Sequence, residues 1–358
     1  MIIFAKVETI KKDIRLLSLE EIKELFANKG EAAYRANQVF DWLWKKHALS
    51  FEQMSNISLG TKNFLNDNFD IKAISIQTTQ KSIDKTIKTA FRLFDDNIIE
   101  GVLIPSEDRA TACISSQVGC ALACKFCATG KLGWARNLEY PEIFDQVMFI
   151  NQQSLETLGI PLSNIVFMGM GEPLLNYNHV LKAIEMLTSP NILNFSPSRI
   201  TLSTVGIVKM IKQLADDKVK FNLAILLHAA TDKKRSLIMP INEHNSLSNL
   251  IDALQYFYSK TKTRITLEYL LLDGFNDSID DARDLAMFCK NFPCKINIIE
   301  YNAIDDGIYK NSNAEKVKAF IAFIESKNMI INLRKSKGKD IAAACGQLAR
   351  KNNIKLIN

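Results

Sequence analysis

The chain has 358 residues, 47% of them apolar and 23% charged, with 14 glycines and 8 prolines. That length and balance exclude a disulfide-stapled fragment, a disordered chain and a collagen-like repeat. The formal charge of +6 permits contact with a polyanion without requiring it, and no apolar run reaches the ~20 residues of a membrane helix.

The opening MIIFAKVETIKKD places its apolar residues before its lysines and lacks a long apolar core, so no signal peptide is expected. The expected location is the cytoplasm, where thiols stay reduced and clustered cysteines usually mean metal or catalysis. Residues 1–70 read as a helical accessory domain. Ser18 with Glu21 predicts a capping box, and Gly30 closes that helix. A second helix carries Ala36, Phe40, Leu43 and Trp44 on one face, and Lys45 and Lys46 form its solvated end. Residues 71–105 change to strands (IKAISI, TIKTAFRLF, NIIEGVLIP) and predict a small β bridge.

Across residues 106–340, strand-like runs alternate with amphipathic stretches. The strands are ACISS (112–116), NIVFM (164–168), RITLS (199–203), FNLAILL (221–227), RITLEYLLL (264–272) and INIIEYN (296–302). Helices are expected at 141–156, 178–188, 207–217, 247–259, 279–290 and 313–326, with a last strand MIINLR (329–334) before a tail, 341–358. Six successive βα units predict an α/β fold with a parallel sheet, either doubly wound or a barrel. In both, reactive residues gather at the carboxyl ends of the strands.

Of the 7 cysteines, Cys120, Cys124 and Cys127 form Cys-x3-Cys-x2-Cys on a loop after the first of these strands. Three thiolates on so short a loop can face one metal centre. A structural zinc would want a fourth ligand, for which Cys113 is available, whereas a 4Fe–4S cluster on three cysteines leaves one iron open. Cys289 and Cys294 match no motif.

The spacing, with Phe126 before the last cysteine, resembles the radical S-adenosylmethionine (SAM) enzymes. That resemblance implies a partial (βα)6 barrel and a 4Fe–4S cluster whose open iron chelates SAM and cleaves it to a 5′-deoxyadenosyl radical. Over nearly the whole chain, CISSQVGCALACKFCATGKLGWARNL, FMGMGEPLLN, IMPINEHNSL and DIAAACGQL resemble the RlmN family of dual-specificity RNA methyltransferases. The implied substrates are one adenosine of 23S rRNA and one in the anticodon loop of certain tRNAs, methylated at carbon 2 with two SAM per turnover. The resemblance makes Cys345 the methyl carrier, Cys113 the thiol that resolves the adduct through a transient disulfide, and Glu100 the general base. It assigns SAM contacts to Gly171, Glu172, Ser203, His228 and Asn302. At Leu226-Leu227-His228 the family usually reads Ser-Leu-His, so a serine hydroxyl contact is lost here while backbone contacts can persist. A reductant such as flavodoxin would serve the cluster, and a thiol reductant the disulfide. Lys131, Arg136 and the cations of the accessory domain are candidates for RNA phosphate. Two rivals stand: a related Cfr-type enzyme that methylates carbon 8, and a non-catalytic zinc-binding RNA protein. Pro173-Leu174-Leu175 and Val118 resemble the carbon-2 type more than the carbon-8 type, and that resemblance implies carbon 2.

Overall fold

The computed structural model describes residues 11–305 and 307–349; the opening MIIFAKVETI and the end of the tail, 350–358, lie outside the described residues. Three helices lead: α1 (Leu19–Asn28), α2 (Ala33–Trp44) and α3 (Leu59–Asn68). The Ser18/Glu21 capping box forms in both directions, Glu21 N to Ser18 Oγ at 3.2 Å and Ser18 N to Glu21 Oε2 at 2.6 Å. Ala36, Leu43 and Trp44 are buried, and Trp44 stacks on Tyr140 of the next domain with ring centroids 5.7 Å apart. The first 70 residues are not purely helical. A two-residue parallel pair, β1 (Lys12–Asp13) with β2 (Phe69–Asp70), closes the ends of this region onto each other.

The strand expected at IKAISI begins later, as β3 (Ser75–Lys81). Upstream the backbone is held by carboxylates instead: Lys72 N donates to Asp13 Oδ2 and Ile74 N to Asp145 Oδ2. β3, β4 (Ile87–Arg92) and β5 (Ile98–Pro105) then run antiparallel and join β6 (Ala110–Cys113). The β bridge is therefore an extension of the main sheet. The run ACISS ends as a strand at Cys113 because Ser115 N donates to Gln146 Oε1 and Ser116 N to Met170 O. A hairpin that the hydrophobic pattern did not announce follows, β7 (Gln117–Cys120) with β8 (Gly133–Asn137), and the short α4 (Ala128–Lys131) lies between its strands.

From β6 onward the alternation holds: α5 (Tyr140–Leu158), β9 (Asn164–Phe167), α6 (Tyr177–Thr188), β10 (Ile200–Thr204), α7 (Val208–Asp216) and β11 (Asn222–Leu226). Then come α8 (Asp232–Ile238), α9 (Leu247–Thr261), β12 (Ile265–Leu271), α10 (Ile279–Cys289), β13 (Cys294–Glu300), α11 (Ala314–Glu325) and β14 (Ile331–Arg334). The sheet order is β14-β13-β12-β11-β10-β9-β6-β5-β4-β3, parallel from β6 to β14. This is an open barrel of six βα units with an antiparallel wing. Every residue of β12 is buried, as a central parallel strand covered on both faces requires.

A buried ionic node fastens the leading helices to the barrel. Arg15 donates to Asp145 Oδ1 and Oδ2 at 2.8 and 2.9 Å and to Asp13 Oδ2 at 2.9 Å, and His47 Nε2 lies 2.9 Å from Asp145 Oδ1. Arg15, Asp13 and Asp145 are each 1% exposed or less, so none of these charges can be left unpaired without severe cost. Among the described residues no helix is long and apolar enough to cross a membrane.

Candidate active site

The carboxyl ends of the parallel strands surround a cavity of roughly 990 Å³ of non-atom space, open solvent included. Cys120, Cys124 and Cys127 line it together with Gly171, Glu172, Ser203, Leu226, His228 and Cys345. Residues spread over more than two hundred positions of sequence meet there because they lie in or after five different strands.

Cys120 ends β7, while Cys124 and Cys127 lie on the loop before α4. Burial pushes the Cys120 thiol up to about 11, with Glu172 and Cys127 adding to it against a backbone bond at Leu122. Cys124 is raised further by burial, Cys127, Cys120 and Glu172. Three sulfurs and a carboxylate thus crowd one pocket whose thiolates repel each other until a cationic centre joins them, and the donor set fits an iron–sulfur cluster. Among the described residues no three His, Cys, Asp or Glu side chains converge tightly enough for a single ion. A cubane seats its cysteines on three different irons and does not demand that convergence.

The GMGE turn after β9 is built for close approach. Gly171 has φ +96°, and a Cβ there would stand 2.5 Å from Gln117 Cβ. Glu172 N donates to Gln117 Oε1 at 2.8 Å, and the Glu172 carboxylate accepts from Leu174 N at 3.1 Å and Val205 N at 2.9 Å. Burial outweighs these bonds and lifts Glu172 to about 7. Ser203 Oγ donates to Phe167 O at 2.8 Å and tightens β10 against β9. His228 adopts φ +57° just past β11, where its Nδ1 accepts from Leu270 N at 3.1 Å. Burial and Arg235 push His228 down to about 3, so the ring is neutral with its proton on Nε2. Phe126 meets it edge-on at 4.6 Å, which ties the cysteine loop to the end of β11. Leu226 lines the cavity, whereas Leu227 is fully buried in the main core.

The tail folds back over this end of the barrel. Ala128 N donates to Gly346 O at 2.7 Å, Thr129 Oγ1 to Leu348 O at 2.5 Å, and Gln347 Nε2 to Ala303 O at 3.0 Å. Asn302 Nδ2 donates to Cys345 O at 3.3 Å, and Asn302 does not line the cavity. These bonds put Cys345 on the walls of two adjoining cavities, the first shared with the three loop cysteines and the second with Cys113. Cys345 is exposed as a residue, whereas burial of its thiol pushes the group up to about 12, with Cys127 and Glu268 contributing. Cys113 is likewise raised to about 12 by burial and by Cys345. Both thiols are free. Glu100 lines neither cavity; it lies on β5, two residues from Val102, the register partner of Cys113. It is 4% exposed, and Lys88 Nζ, 3.5 Å from its Oε1, also donates to Ala342 O at 3.3 Å, near Cys345.

Two residues at the site went unnoticed in the sequence. Arg235 is fully buried and donates to the carbonyls of Leu227 at 3.2 Å, Leu226 at 3.3 Å and Val205 at 2.5 Å, fixing the ends of two strands. Glu268 is 1% exposed and lines the first cavity; its Oε1 accepts from Asn297 Nδ2 at 2.9 Å and its Oε2 has no hydrogen-bond partner. A lone carboxylate inside the apolar run RITLEYLLL was the available signal. The cations expected to meet phosphate each have a partner within the chain. Arg136 is bidentate to Glu142 at 2.8 Å and bound to Asp95 at 2.6 Å, and Lys131 Nζ donates to Asp305 O at 2.5 Å. Lys45 pairs with Asp41 at 2.9 Å, and Lys46 lies 3.7 Å over the Trp42 ring.

Residues 13–71 match the ribosomal RNA large subunit methyltransferase N-terminal domain, and residues 114–286 the radical SAM superfamily. A probable dual-specificity RNA methyltransferase RlmN from Cytophaga hutchinsonii is 54% identical over 96% of this chain and 94% of its own. A dual-specificity RNA methyltransferase RlmN from Geotalea uraniireducens is 40% identical over 94% and 96%. The crystal structure of a radical SAM methyltransferase from Sphaerobacter thermophilus superposes with a TM-score of 0.89 at 36% identity, covering 94% of this chain and 99% of that one. With two separate domains matched in order and identity sustained from end to end, the chain belongs to the RlmN family of dual-specificity RNA methyltransferases within the radical SAM superfamily.

Proposed function

We propose that this chain methylates carbon 2 of adenosine in 23S rRNA and in the anticodon loop of certain tRNAs, in the cytoplasm, with Cys345 as methyl carrier. The observation that carries the reading is that Cys345 stands between two cavities, one walled by Cys120, Cys124 and Cys127 and the other by Cys113. A sulfur that must first receive a methyl group and later be attacked by a second thiol needs both neighbours.

Carbon 2 of adenine is electron-poor and no nucleophile, so direct displacement on a methyl sulfonium fails there. The Cys345 thiolate can perform that displacement and become S-methylated. Loaded with one 4Fe–4S cluster and, over a turnover, two SAM molecules, the first cavity would supply the methyl donor and the agent that removes a hydrogen atom. The carbon left on the Cys345 sulfur then adds to the ring. Glu100 takes the ring proton, with Lys88 holding its carboxylate towards the segment that carries Cys345. Once the ring has also given up one electron, to an acceptor that the loaded first cavity would supply, attack of the Cys113 thiolate on the Cys345 sulfur breaks the carbon–sulfur bond; the freed carbon takes up a proton as the product's methyl group, and a thiol reductant resets the disulfide left behind. Gly171, Glu172, Ser203 and His228 shape the SAM pocket. Gly171, bare of a side chain, lets the turn pack on Gln117 and so sets the place of Glu172, and neutral His228 offers an Nε2–H. Leu226 and Leu227 keep only backbone contacts there, and Asn302 acts through the Cys345 carbonyl. A flavodoxin-like donor would supply the electron for a cluster held by Cys120, Cys124 and Cys127.

The test is the product. RNA from a methyltransferase-null host complemented with this chain, digested to nucleosides, should contain 2-methyladenosine; a dominant 8-methyladenosine peak would overturn the regiochemistry. Cys113→Ala should stall after ring addition, leaving chain covalently attached to RNA through Cys345 on a denaturing gel. Free RNA only from that variant would refute the resolving role.

A further inference from the structure

The second cavity has a charged border that the assigned residues do not explain. Its inner wall holds Cys113 and Cys345, and its remaining lining includes Arg334, Lys335, Ser336 and Lys337, from the end of β14 into the tail. Arg334, Lys335 and Lys337 are exposed, whereas Cys113 is buried. Three cations therefore ring the outer side of the space into which the two reactive thiols look.

The acids nearby are taken up by other groups. Glu300 Oε2 accepts from Lys339 Nζ at 2.6 Å and Ser336 N at 3.2 Å. Asp84 Oδ2 accepts from Gly338 N at 3.0 Å, and Asp340 from Ser82 Oγ at 2.6 Å and Ile83 N at 3.2 Å. Arg334 reaches the buried Glu268 only at 3.6 Å, and its side chain is half exposed. Among the described residues Lys335 and Lys337 have no carboxylate within ion-pair distance. The same bonds clasp segment 336–340 onto the β3–β4 turn, so the cations are presented on a fixed backbone. This contrasts with Arg136, whose guanidinium is shared between Glu142 and Asp95.

We propose that Arg334, Lys335 and Lys337 form a phosphate clamp that grips the RNA backbone beside the target adenosine while its base enters the second cavity towards Cys345. The proposal rests on the RNA-methylating reading above. A base cannot meet a sulfur inside the protein without leaving its stack, and its sugar–phosphate then stays outside, at the border. Cations held there position the strand without reading its sequence. One clamp would therefore serve both rRNA and tRNA.

The experiment compares the full chain with K335Q/K337Q and K335R/K337R. Binding of a labelled 23S rRNA fragment carrying the target adenosine is measured from 50 to 200 mM salt, and methylation of Cys345 without RNA by peptide mass spectrometry. Loss of two phosphate contacts should flatten the slope of log affinity on log salt by about 1.4, so the advantage of the native chain shrinks about sevenfold across that range. The arginine pair should restore native binding, and all three proteins should carry the same fraction of methylated Cys345. Unchanged affinity and slope in the glutamine pair would overturn the clamp. So would loss of Cys345 methylation alongside binding, because the lysines would then support the site itself. A native chain that binds no RNA would instead refute the functional reading.

Discussion

Gly171→Ala tests whether the turn after β9 is a site of close backbone approach. The perturbation has two parts. At φ +96° an L-residue is strained, by about 1–2 kcal/mol per left-handed residue. The new methyl would also stand 2.5 Å from Gln117 Cβ, 2.7 Å from its Cγ and 2.8 Å from its N. Gln117 cannot yield cheaply, because its Oε1 accepts from Glu172 N at 2.8 Å and its Nε2 donates to Asn137 at 2.7 Å. Overpacking of this kind costs roughly 1–3 kcal/mol, so the total is about 2–5 kcal/mol. Gly159 is the matched control: φ is +71°, and a Cβ there meets nothing within 4 Å, leaving the backbone part of about 1–2 kcal/mol. Urea unfolding of both variants gives the difference, while equilibrium SAM binding and the methylated fraction of Cys345 report on the site. Gly171→Ala should lose both site functions and Gly159→Ala should keep them. Equal stability of the two variants, with SAM binding intact in Gly171→Ala, would refute the reasoning.

Changing Cys120, Cys124 and Cys127 together to Ala should abolish bound iron and sulfide on anaerobic reconstitution; four irons per chain in that variant would sink the cluster assignment. Asp145→Asn should cost roughly 3–5 kcal/mol in urea unfolding near neutral pH, because Arg15 is left buried with one carboxylate fewer. The pH dependence has a definite sign. Burial raises Asp145, but Arg15 and His47 outweigh it and hold the carboxyl below its ordinary value. Its contribution is therefore complete above about pH 4 and is lost as pH falls through the depressed folded value. The gap between native chain and Asp145→Asn should close on acidification; a gap constant from pH 6 to pH 2 would contradict the node.

The βα succession was readable from residue pattern because local rules suffice for it. Runs such as RITLEYLLL and INIIEYN sit between amphipathic stretches of helical period, and the strands and helices appear within a few residues of those positions. The capping box at Ser18 and the face of Ala36, Leu43 and Trp44 are equally local. Cys-x3-Cys-x2-Cys was legible for the same reason, since one short loop carries all three thiols. Where the pattern misplaced an edge, a distant side chain had taken the backbone: Asp145 and Asp13 at Ile74 and Lys72, Gln146 at Ser115.

Other properties depend on groups far apart in sequence and came only with the fold. Composition could count cations but not show that Arg136 is shared between Glu142 and Asp95 while Lys335 and Lys337, among the described residues, have no carboxylate within ion-pair distance. Nor could it show the wing of β3–β5 fused to the barrel, or Arg235 knotting the ends of β10 and β11. The position of Cys345 is the sharpest case. Its place between two cavities is set by Ala128, Thr129, Asn302 and Ala303, which bind the returning tail across more than forty to two hundred positions. Spacing along the chain carries no information about such bonds, since chain reversal and burial of their polar groups are decided together, by the packed barrel.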